Sequence, residues 1–421
     1  MKTAIGFLVA VTICLGNLFV INATLAEETR QLEVLPNDHT VTTDPFTGTK
    51  LTFLTTKTPS TNFYFHDRSW LADSSMILFN GPRGLMGYLT QTGELAVLSS
   101  SDGSLSKATA AAQRSSIFCM RGNDVLEITP TVTVSPDPAL ARSKVVVSER
   151  LIATLPAAGQ LNGNFDDQYL SVGLKTDPPT IHVIEVATGR VREICKIEPP
   201  LLWKGHLQWS HTASNLLSFA GGKDWHREEG SSRIWVVDPK LGIPHPVHQQ
   251  VKDELVTHES WWVNDQILYC GAPPAIQFKG DPQQREISHV NLLDLKTGHV
   301  RILGAGSWWP RATEAEIGRR NWWHCAGSSD GRWVIADNPH GDLALFEGST
   351  SRPRLLTTGH RTYGGGAHPH PGWDCQGQQV IFASHMLSDQ GQVCIATIPT
   401  HWQDEHPGAQ RLLNHPDKNG D

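Results

Sequence analysis

The sequence predicts an all-β fold, a seven-bladed β-propeller whose ring is closed by an N-terminal strand. Three observations support this prediction. Convincing amphipathic helices are scarce in the 421 residues, and short apolar runs alternate with Gly, Asp, Asn and Pro turns. A hairpin phrase recurs about every 50 residues, which is the period of a blade of four strands. A second phrase, in which a histidine precedes an apolar strand, recurs with the first.

The hairpin phrase places a glycine in a tight turn before an apolar strand. Its separations are 45, 96, 53, 56 and 50 residues, and the gap of 96 corresponds to two periods. The phrase "SPDPALARSKVVV" fills the missing place, which gives seven units. The strand near residues 51–54 is expected to join the last blade and thereby remove an open sheet edge. The glycines of the phrase are Gly48, Gly93, Gly189, Gly242, Gly298 and Gly348.

Residues 1–26 have the features of a secretory signal peptide. Lys2 precedes an apolar stretch, and the segment ends on small residues at Ala26. We therefore expect cleavage after Ala26 and a secreted or periplasmic protein. A membrane anchor is the alternative, but the apolar stretch is short and is interrupted by glycine and asparagine. Residues 27–413 would then form one propeller domain, and residues 414–421 a flexible tail.

The charge of the chain limits its partners. The formal net charge is −7 and no basic stripe occurs, which argues against nucleic acid and anionic membranes. An anionic substrate must therefore meet a local cluster of cationic groups. The cysteines form no C-x-x-C pair, so neither a zinc finger nor a disulfide scaffold is predicted, although pairing in an oxidising compartment stays open.

Five histidines occur at the same phase of the repeat, at the start of the first strand of each unit. In a propeller these first strands line the central channel, so the five side chains are expected to converge at one mouth of the axis. They are His66, His206, His258, His324 and His370.

The stretch "AHPHPGW" predicts a metal site. His368 and His370 flank Pro369, so on an extended backbone both side chains point to the same side. His324, one blade earlier, would supply a third ligand. Neutral imidazoles suit Mn, Fe, Zn, Ni or Cu, and three histidines with open positions are typical of a catalytic site. The alternative is a set of solvated turn histidines.

Two further residues suggest acid–base chemistry on a carboxylate. His258 is a candidate general base, because the ordinary pKa of histidine is near neutrality. The neighbouring Glu259 is an alternative, although strand alternation predicts that it points to the opposite face. Arg233 is a candidate partner for a substrate carboxylate, because its guanidinium can bind one in a bidentate manner. An ordinary ion pair is the alternative for Arg233.

Together these groups predict β-elimination on a carboxylated sugar. A metal ion and an arginine would neutralise the carboxylate and make the C5 proton of a uronate acidic enough for a histidine to remove. Departure of the C4 oxygen would then break the chain. Hydrolysis fits less well, since no pair of carboxylates stands out at the channel-facing phase and no G-x-S-x-G motif occurs.

Seven phrases in this chain follow the order seen in one family of enzymes. They are "DPFTGTKLTFLT", "NFYF", "WKGH", "SRIWVVD", "THESWW", "WWHCAGSSDGRWVIAD" and "HPHPGWDCQGQQVIFAS". With them the chain resembles the oligogalacturonate lyases, seven-bladed propellers that split small pectin fragments by β-elimination with a manganese-type ion. The resemblance runs from about Asp44 to Ile398 and is patchy between Ser100 and Pro200.

The resemblance implies a role for each candidate residue. It makes His258 the base and Arg233 the residue that binds the substrate carboxylate. It matches His206 to the substrate groove, where we also place His66. It implies manganese as the bound ion, with zinc, iron or nickel as alternatives. The metal ligands would be His324, His368 and His370.

One position departs from the family pattern. The family has a glutamine as a fourth metal ligand three residues before the first histidine of H-P-H, where this chain has Gly365. A water, His360 or His66 would then complete the site. The family enzymes usually act inside the cell, so the export signal suggests a different uronate oligomer as the anionic partner. The rival prediction is a non-catalytic propeller, resembling the TolB-type periplasmic modules, that binds a glycan or a protein.

Overall fold

The computed structural model describes residues 28–99, 103–138, 140–222, 232–252, 254–272, 288–306, 322–338, 341–361 and 368–404. These residues form seven antiparallel sheets, which are the blades of a β-propeller, as predicted. The predicted signal peptide, the predicted tail and Gly365 all lie outside the described residues. Cleavage after Ala26 and the loss of the fourth ligand therefore stay predictions.

The first four blades are numbered I to IV along the chain. Blade I contains β2 (Val34–Leu35), β5 (Met76–Gly81), β6 (Gly84–Leu89) and β7 (Leu95–Val97). Blade II contains β1 (Glu28–Gln31), β8 (Leu105–Ala110), β9 (Ile117–Arg121), β10 (Asp124–Thr133) and β11 (Lys144–Thr154). Blade III contains β12 (Gly159–Gly163), β13 (Tyr169–Leu174), β14 (Thr180–Glu185) and β15 (Val191–Lys196). Blade IV contains β16 (Gly205–Trp209), β17 (Leu217–Ala220), β18 (Ile234–Val237) and β19 (Pro244–Pro246).

Blades V to VII complete the ring. Blade V contains β20 (Leu255–Trp261), β21 (Gln266–Ala272), β22 (His289–Asp294) and β23 (Val300–Gly304). Blade VI contains β24 (Cys325–Gly327), β25 (Trp333–Asp337), β26 (Leu343–Glu347) and β27 (Pro353–Thr357). Blade VII contains β3 (Thr40–Thr43), β4 (Lys50–Phe53), β28 (Gly372–Trp373), β29 (Gln379–Ser384) and β30 (Gln392–Thr397). A 3₁₀ turn spans Val263–Asp265 and a short helix, α1, spans Thr400–Asp404. Within the described part of the chain, no helix has the length and apolar character needed to cross a bilayer.

The first strand of each blade lies innermost, because neighbouring first strands contact one another from β8 and β12 through β16, β20, β24 and β28. Blade I has no continuous first strand. Two isolated bridges, Thr61 with Asn80 and Trp70 with Ile77, take its place beside β5. Between the bridges the chain turns, and the Asp67 N–H donates to the Tyr64 carbonyl at 2.8 Å. The innermost segment of this blade therefore protrudes as a loop.

The core consists of seven apolar clusters among the described residues, one at each junction between neighbouring blades. At the junction of blades VII and I, for example, Phe79 packs with Leu54, Ile381 and Ile395. Phe79 is fully buried, so truncation to alanine would cost about 3–5 kcal/mol. The alternating apolar residues of each strand thus serve the two junctions that flank a blade. The six cysteines among the described residues are all free.

The N-terminal segment closes the ring as predicted. β4 pairs with β30 in antiparallel register, with Phe53 opposite Cys394, and β3 adds a further strand outside it. The seam to blade VI is held by Asp44, whose Oδ2 accepts hydrogen bonds from Thr357 Oγ1 and from the Thr358 N–H, both at 2.7 Å. The sequence did not predict β1 and β2, which cover the outer edges of blades II and I.

Five of the six predicted glycine positions lie in turns between the third and fourth strands of a blade, whereas Gly48 lies in the turn between β3 and β4, the two outermost strands of blade VII. At five of the six positions the glycine has a positive φ, and its N–H donates to the carbonyl four residues earlier, as Gly189 does to Glu185 at 2.8 Å. The prediction for Gly348 is wrong. The equivalent residue is Ser351, with φ 60° and its N–H 2.8 Å from the Glu347 carbonyl. The irregular phrase of blade II forms the same hydrogen bond, from the Ala141 N–H to the Asp137 carbonyl at 3.0 Å.

Candidate active site

Five histidine rings from five blades meet at one mouth of the channel. Ring centroids are 5.9 Å apart for His66 and His206, and 6.1 Å apart for His206 and His258. They are 4.2 Å apart for His258 and His324, and 4.5 Å for His324 and His370. The structure thus brings together all five residues that share the histidine phase of the repeat.

Two of these histidines lie on β-bulges. The pairing of β16 with β17, and of β20 with β21, shifts register at His206 and His258. Both residues adopt the left-handed conformation, with φ 57° and 52°, which is uncommon for a residue other than glycine. A bulge inserts an extra residue, interrupts the alternation of side chains along a strand and re-aims them. Because of the bulge at His258, strand alternation no longer predicts that the Glu259 side chain points to the opposite face.

The three predicted metal ligands lie together. Ring nitrogens of His324, His368 and His370 all lie within 4.8 Å of one another. The Nε2 atom of His324 is buried and has no hydrogen-bond partner among the described residues. Its Nδ1 atom lies 2.9 Å from the Asp337 carboxylate. An imidazole with one nitrogen held by a carboxylate and the other left open fits a metal ligand of the kind that binds transition metals.

Asp337 is a functional residue that the sequence did not predict. It is fully buried on β25 and also accepts a hydrogen bond from the His324 backbone N–H at 2.8 Å. Burial raises the pKa of Asp337 to about 8. Burial, followed by the nearby His368, lowers the pKa of His324 well below its ordinary value, so this imidazole stays neutral and able to bind a cation. The "WVIAD" phrase, in which an aspartate ends a buried strand, was the only signal.

The two histidines proposed as replacement ligands lie elsewhere. His360 is fully buried, and its ring nitrogens lie 2.8 Å from Thr357 Oγ1 and from Ser384 Oγ. Both ring nitrogens have a hydroxyl partner, so the structure does not favour His360 over the other two alternatives, a water and His66, as the ligand that completes the metal site. His66 keeps a buried Nε2 without a partner in the described structure, but it lies outside the set of three mutually close histidines.

His258 is placed beside the candidate metal site. Its ring lies 5.1 Å from that of Trp323, and its Nδ1 atom lies 3.1 Å from Thr257 Oγ1. Burial, followed by the neighbouring His324 and His206, lowers its pKa well below the ordinary value. The imidazole is therefore neutral at neutral pH, which is the state in which it can accept a proton.

Arg233 forms a buried ion pair with Glu259. The arginine Nε donates to Glu259 Oε2 at 3.0 Å, and the two side chains are 8% and 0% exposed. Burial raises the pKa of Glu259, but Arg233 and His206 lower it by more, so the carboxylate stays charged. Glu259 Oε1 also lies 3.3 Å from His206 Nδ1. Sequence reasoning considered Glu259 only as a rival base, whereas the structure shows it as the partner of the arginine.

Tyr64 is a second residue that sequence reasoning missed. The turn in blade I carries its ring into the histidine cluster, 4.5 Å from His370 and 4.9 Å from His66 between centroids. Its hydroxyl lies 3.3 Å from His206 Nε2. Burial raises the pKa of this phenol, so Tyr64 keeps its proton. The phrase "NFYF" was noted for its resemblance, but nothing in its pattern indicated that the first strand would be interrupted.

Two solved structures share this fold. An oligogalacturonate lyase in complex with manganese is 18% identical, with a TM-score of 0.65, and the match covers 88% of this chain and 99% of that one. An oligogalacturonate lyase from Vibrio parahaemolyticus is 16% identical, with a TM-score of 0.66, and the match covers 89% and 100%. TolB from Acinetobacter baumannii reaches a TM-score of only 0.38 at 12% identity, over 64% and 63% of the two chains. No protein-family model and no curated protein sequence matches this chain.

Proposed function

We propose that this protein is a metal-assisted lyase that cleaves uronate-containing oligosaccharides by β-elimination. One observation carries the proposal: the neutral ring of His258 lies 4.2 Å from that of His324, a member of the three-histidine cluster. A candidate base thus lies directly beside a candidate cation site. The shared fold of the two solved lyases supports the proposal.

The three-histidine cluster and Arg233 would hold the substrate carboxylate. A divalent transition metal, manganese in our proposal, would supply a positive charge that withdraws electrons from the carboxylate and makes the C5 proton more acidic. His324, His368 and His370 would hold this ion. The Arg233 guanidinium adds a second positive charge, and Glu259 fixes its orientation through the Nε atom.

His258 would carry out the proton transfer. A ring nitrogen takes the C5 proton, and the electrons of the broken C–H bond form the double bond between C4 and C5. The C4–oxygen bond breaks, and the departing oxygen takes a proton from solvent. The histidine returns its proton to water before the next turnover. Burial keeps His258 neutral in the resting protein, which is the form that can accept a proton, and the same burial makes the ring a weaker base than an exposed histidine.

His206, His66 and Tyr64 would bind the sugar beside the reacting carbon. Their rings line the same mouth, and the buried Nε2 of His66 has no partner in the described part of the chain. A buried nitrogen of this kind is stabilised by a hydrogen bond to a bound hydroxyl. We propose a galacturonate oligomer or a related uronate oligomer met outside the cytoplasm, because the sequence predicts export.

The proposal is tested by incubating the purified protein, with manganese added, with oligomers of galacturonate, mannuronate, guluronate and glucuronate. Elimination creates an unsaturated uronate that absorbs in the ultraviolet, and its appearance measures turnover directly. The His258→Ala variant provides the background rate. Failure to form an unsaturated product from any of these uronates, while metal is measurably bound, would contradict a lyase function.

The proposed export is tested separately. Expression of the whole chain in a Gram-negative host, followed by fractionation and N-terminal sequencing, would identify the compartment and the cleavage point. We expect a new N-terminus at Glu27. An uncleaved chain in the cytoplasm would contradict export without affecting the proposed chemistry.

A further inference from the structure

Three blades share one irregularity in their first strand. In blade II, Ser106 pairs with Met120 and the next pair joins Thr109 to Phe118, which leaves Lys107 within the bulge. The same shift occurs between Gly205 and Gln208 in blade IV and between Thr257 and Ser260 in blade V. In each case two residues lie between the two pairs that flank the shift, and the first of them adopts the left-handed conformation. Lys107 therefore occupies the position that His206 and His258 occupy in their blades.

The backbone conformation supports this equivalence. Lys107 has φ 53°, next to 57° for His206 and 52° for His258. In contrast, β12 of blade III pairs with β13 without a bulge, so the irregularity does not follow from the propeller geometry alone. Strained non-glycine residues of this kind cluster at functional sites. Two of the three already belong to the candidate active site, and the third carries a positive charge.

The surroundings of Lys107 favour a negatively charged ligand. The residue is exposed, and within the described ranges its ammonium makes no hydrogen bond or ion pair with the protein. Blade II lies next to blade I, which carries His66, and across the ring from blades V and VI, which carry His258 and His324. An ammonium has three donors and no acceptor, so a carboxylate is its natural partner.

We propose that Lys107 determines specificity by binding the carboxylate of a sugar that neighbours the reacting one. The inference rests on the proposed function, because it assumes that a uronate chain lies across this mouth. Arg233 and the three-histidine cluster would then hold the reacting carboxylate, and Lys107 the next one. A chain with a carboxylate on every sugar would be favoured over a neutral chain.

The test measures binding of a galacturonate trimer by calorimetry, with manganese present and in the His258→Ala background, where no turnover disturbs the measurement. Lys107→Met keeps the unbranched stem of the side chain, apart from its terminal atom, and removes its charge. We expect binding about five- to tenfold weaker, since the ion pair is exposed at the mouth. Lys107→Arg should restore most of the affinity. Lys144→Met, which removes an exposed lysine from β11 of the same blade, is the control and should bind as the parent does.

A neutral galactose trimer separates the charge of Lys107 from its other contacts. Lys107→Met should leave the weak binding of this probe unchanged, and in an otherwise unaltered protein it should raise KM for galacturonate oligomers while kcat changes less than twofold. Equal trimer affinity in the Lys107→Met variant and its parent would overturn the inference. If the protein binds uronates through Lys107 but forms no unsaturated product, the lyase proposal fails and this one stands. If elimination occurs and Lys107→Met has no effect, the lyase proposal stands and the inference about Lys107 fails.

Discussion

Arg233 and Glu259 form an ion pair across blades IV and V that is almost wholly excluded from solvent. The arginine lies just before β18 and the glutamate lies within the bulge of β20. A buried guanidinium needs a fixed counter-charge, and Glu259 supplies it without blocking the remaining N–H groups, which lie on Nη1 and Nη2. The bulge at His258 thus has two consequences, since it aims a candidate base at the mouth and keeps the neighbouring carboxylate on the arginine.

The first prediction concerns this pair. Glu259→Ala leaves a buried arginine without its counter-charge and should lower the free energy of unfolding by about 3–5 kcal/mol. Glu259→Gln keeps an oxygen acceptor for the Arg233 Nε and should cost less. Urea unfolding of the two variants measures the difference. If alanine and glutamine were equally well tolerated, the ion pair would not be fixing Arg233.

The second prediction separates the base from the metal ligands. His258→Ala should lower kcat by about 10²–10⁴-fold, the usual contribution of a general base, while the bound metal stays unchanged. His324→Ala should instead abolish metal binding. His245→Ala, an exposed histidine on β19, is the matched control and should alter neither quantity. Metal analysis of each purified variant, set beside its turnover, decides the assignment, and loss of metal from His258→Ala would make that residue a ligand.

The third prediction concerns Asp337. Asp337→Asn removes the carboxylate that holds the Nδ1 atom of His324 and should weaken metal affinity about 10–100-fold, as for other carboxylates behind a histidine ligand. Competition with a metal-binding dye measures this affinity without depending on activity. Asp389→Asn, at a carboxylate that is 97% exposed, should leave it unchanged. Unaltered affinity in Asp337→Asn would show that Asp337 is only a structural partner.

The fold could be predicted from the sequence because its blades repeat a turn whose backbone conformation favours one residue type. In five turns, including that of Gly189, the residue whose N–H bonds to the carbonyl four residues earlier has a positive φ. Glycine adopts this conformation most readily, so it recurs there. The spacing of these glycines indicates the number of blades. The prediction of the turn at Gly348 failed because a residue other than glycine, Ser351, adopts the left-handed conformation in that blade. The outer strands β1 and β2 escaped prediction because their sequences are short and carry no clear alternation.

The site was predictable only in part, for a different reason. A histidine at a fixed phase indicates which residues can meet, so His258 and His324 could be brought together from the sequence. Bulges and interrupted strands depend on packing between blades, so the contacts of Glu259 and Tyr64 were not visible. Asp337 was missed because its partner, His324, lies 13 residues earlier, just before the neighbouring strand, and the phrase that contains both residues does not show that their side chains meet.

The fourth prediction concerns pH and the closing seam. Burial raises the pKa of Asp44, but hydrogen bonds from Thr357, Thr47 and Thr358 lower it by more, so the net pKa lies below its ordinary value. A carboxyl of this kind stabilises the fold above its unfolded pKa of about 4, and this contribution is lost as the pH falls through the folded value.

Asp44→Asn should therefore lower the free energy of unfolding at neutral pH by about 1–2 kcal/mol, since hydrogen bonds to a charged acceptor are lost. The difference from the unaltered protein should shrink as the pH falls below about 4. Thermal unfolding of both proteins at several pH values measures it, with Asp389→Asn as the control. A difference that stays constant down to the acid limit would mean that the charge of Asp44 does not hold the seam.

The last prediction compares two glycine turns with nearly the same backbone. Gly189 and Gly298 have φ 70° and 69°, so alanine carries the same conformational penalty of about 1–2 kcal/mol at either position. A Cβ on Gly298 would meet no atom within 4 Å, whereas a Cβ on Gly189 would overlap the carbonyl oxygen of Ile152 in β11. Gly189→Ala must also push blades II and III apart, which should add about 1–3 kcal/mol. Urea unfolding of the two variants isolates this steric cost, because the conformational penalty cancels in the comparison. Equal stability of the two variants would show that the junction between these blades yields easily, and that glycine is needed at position 189 only for its turn.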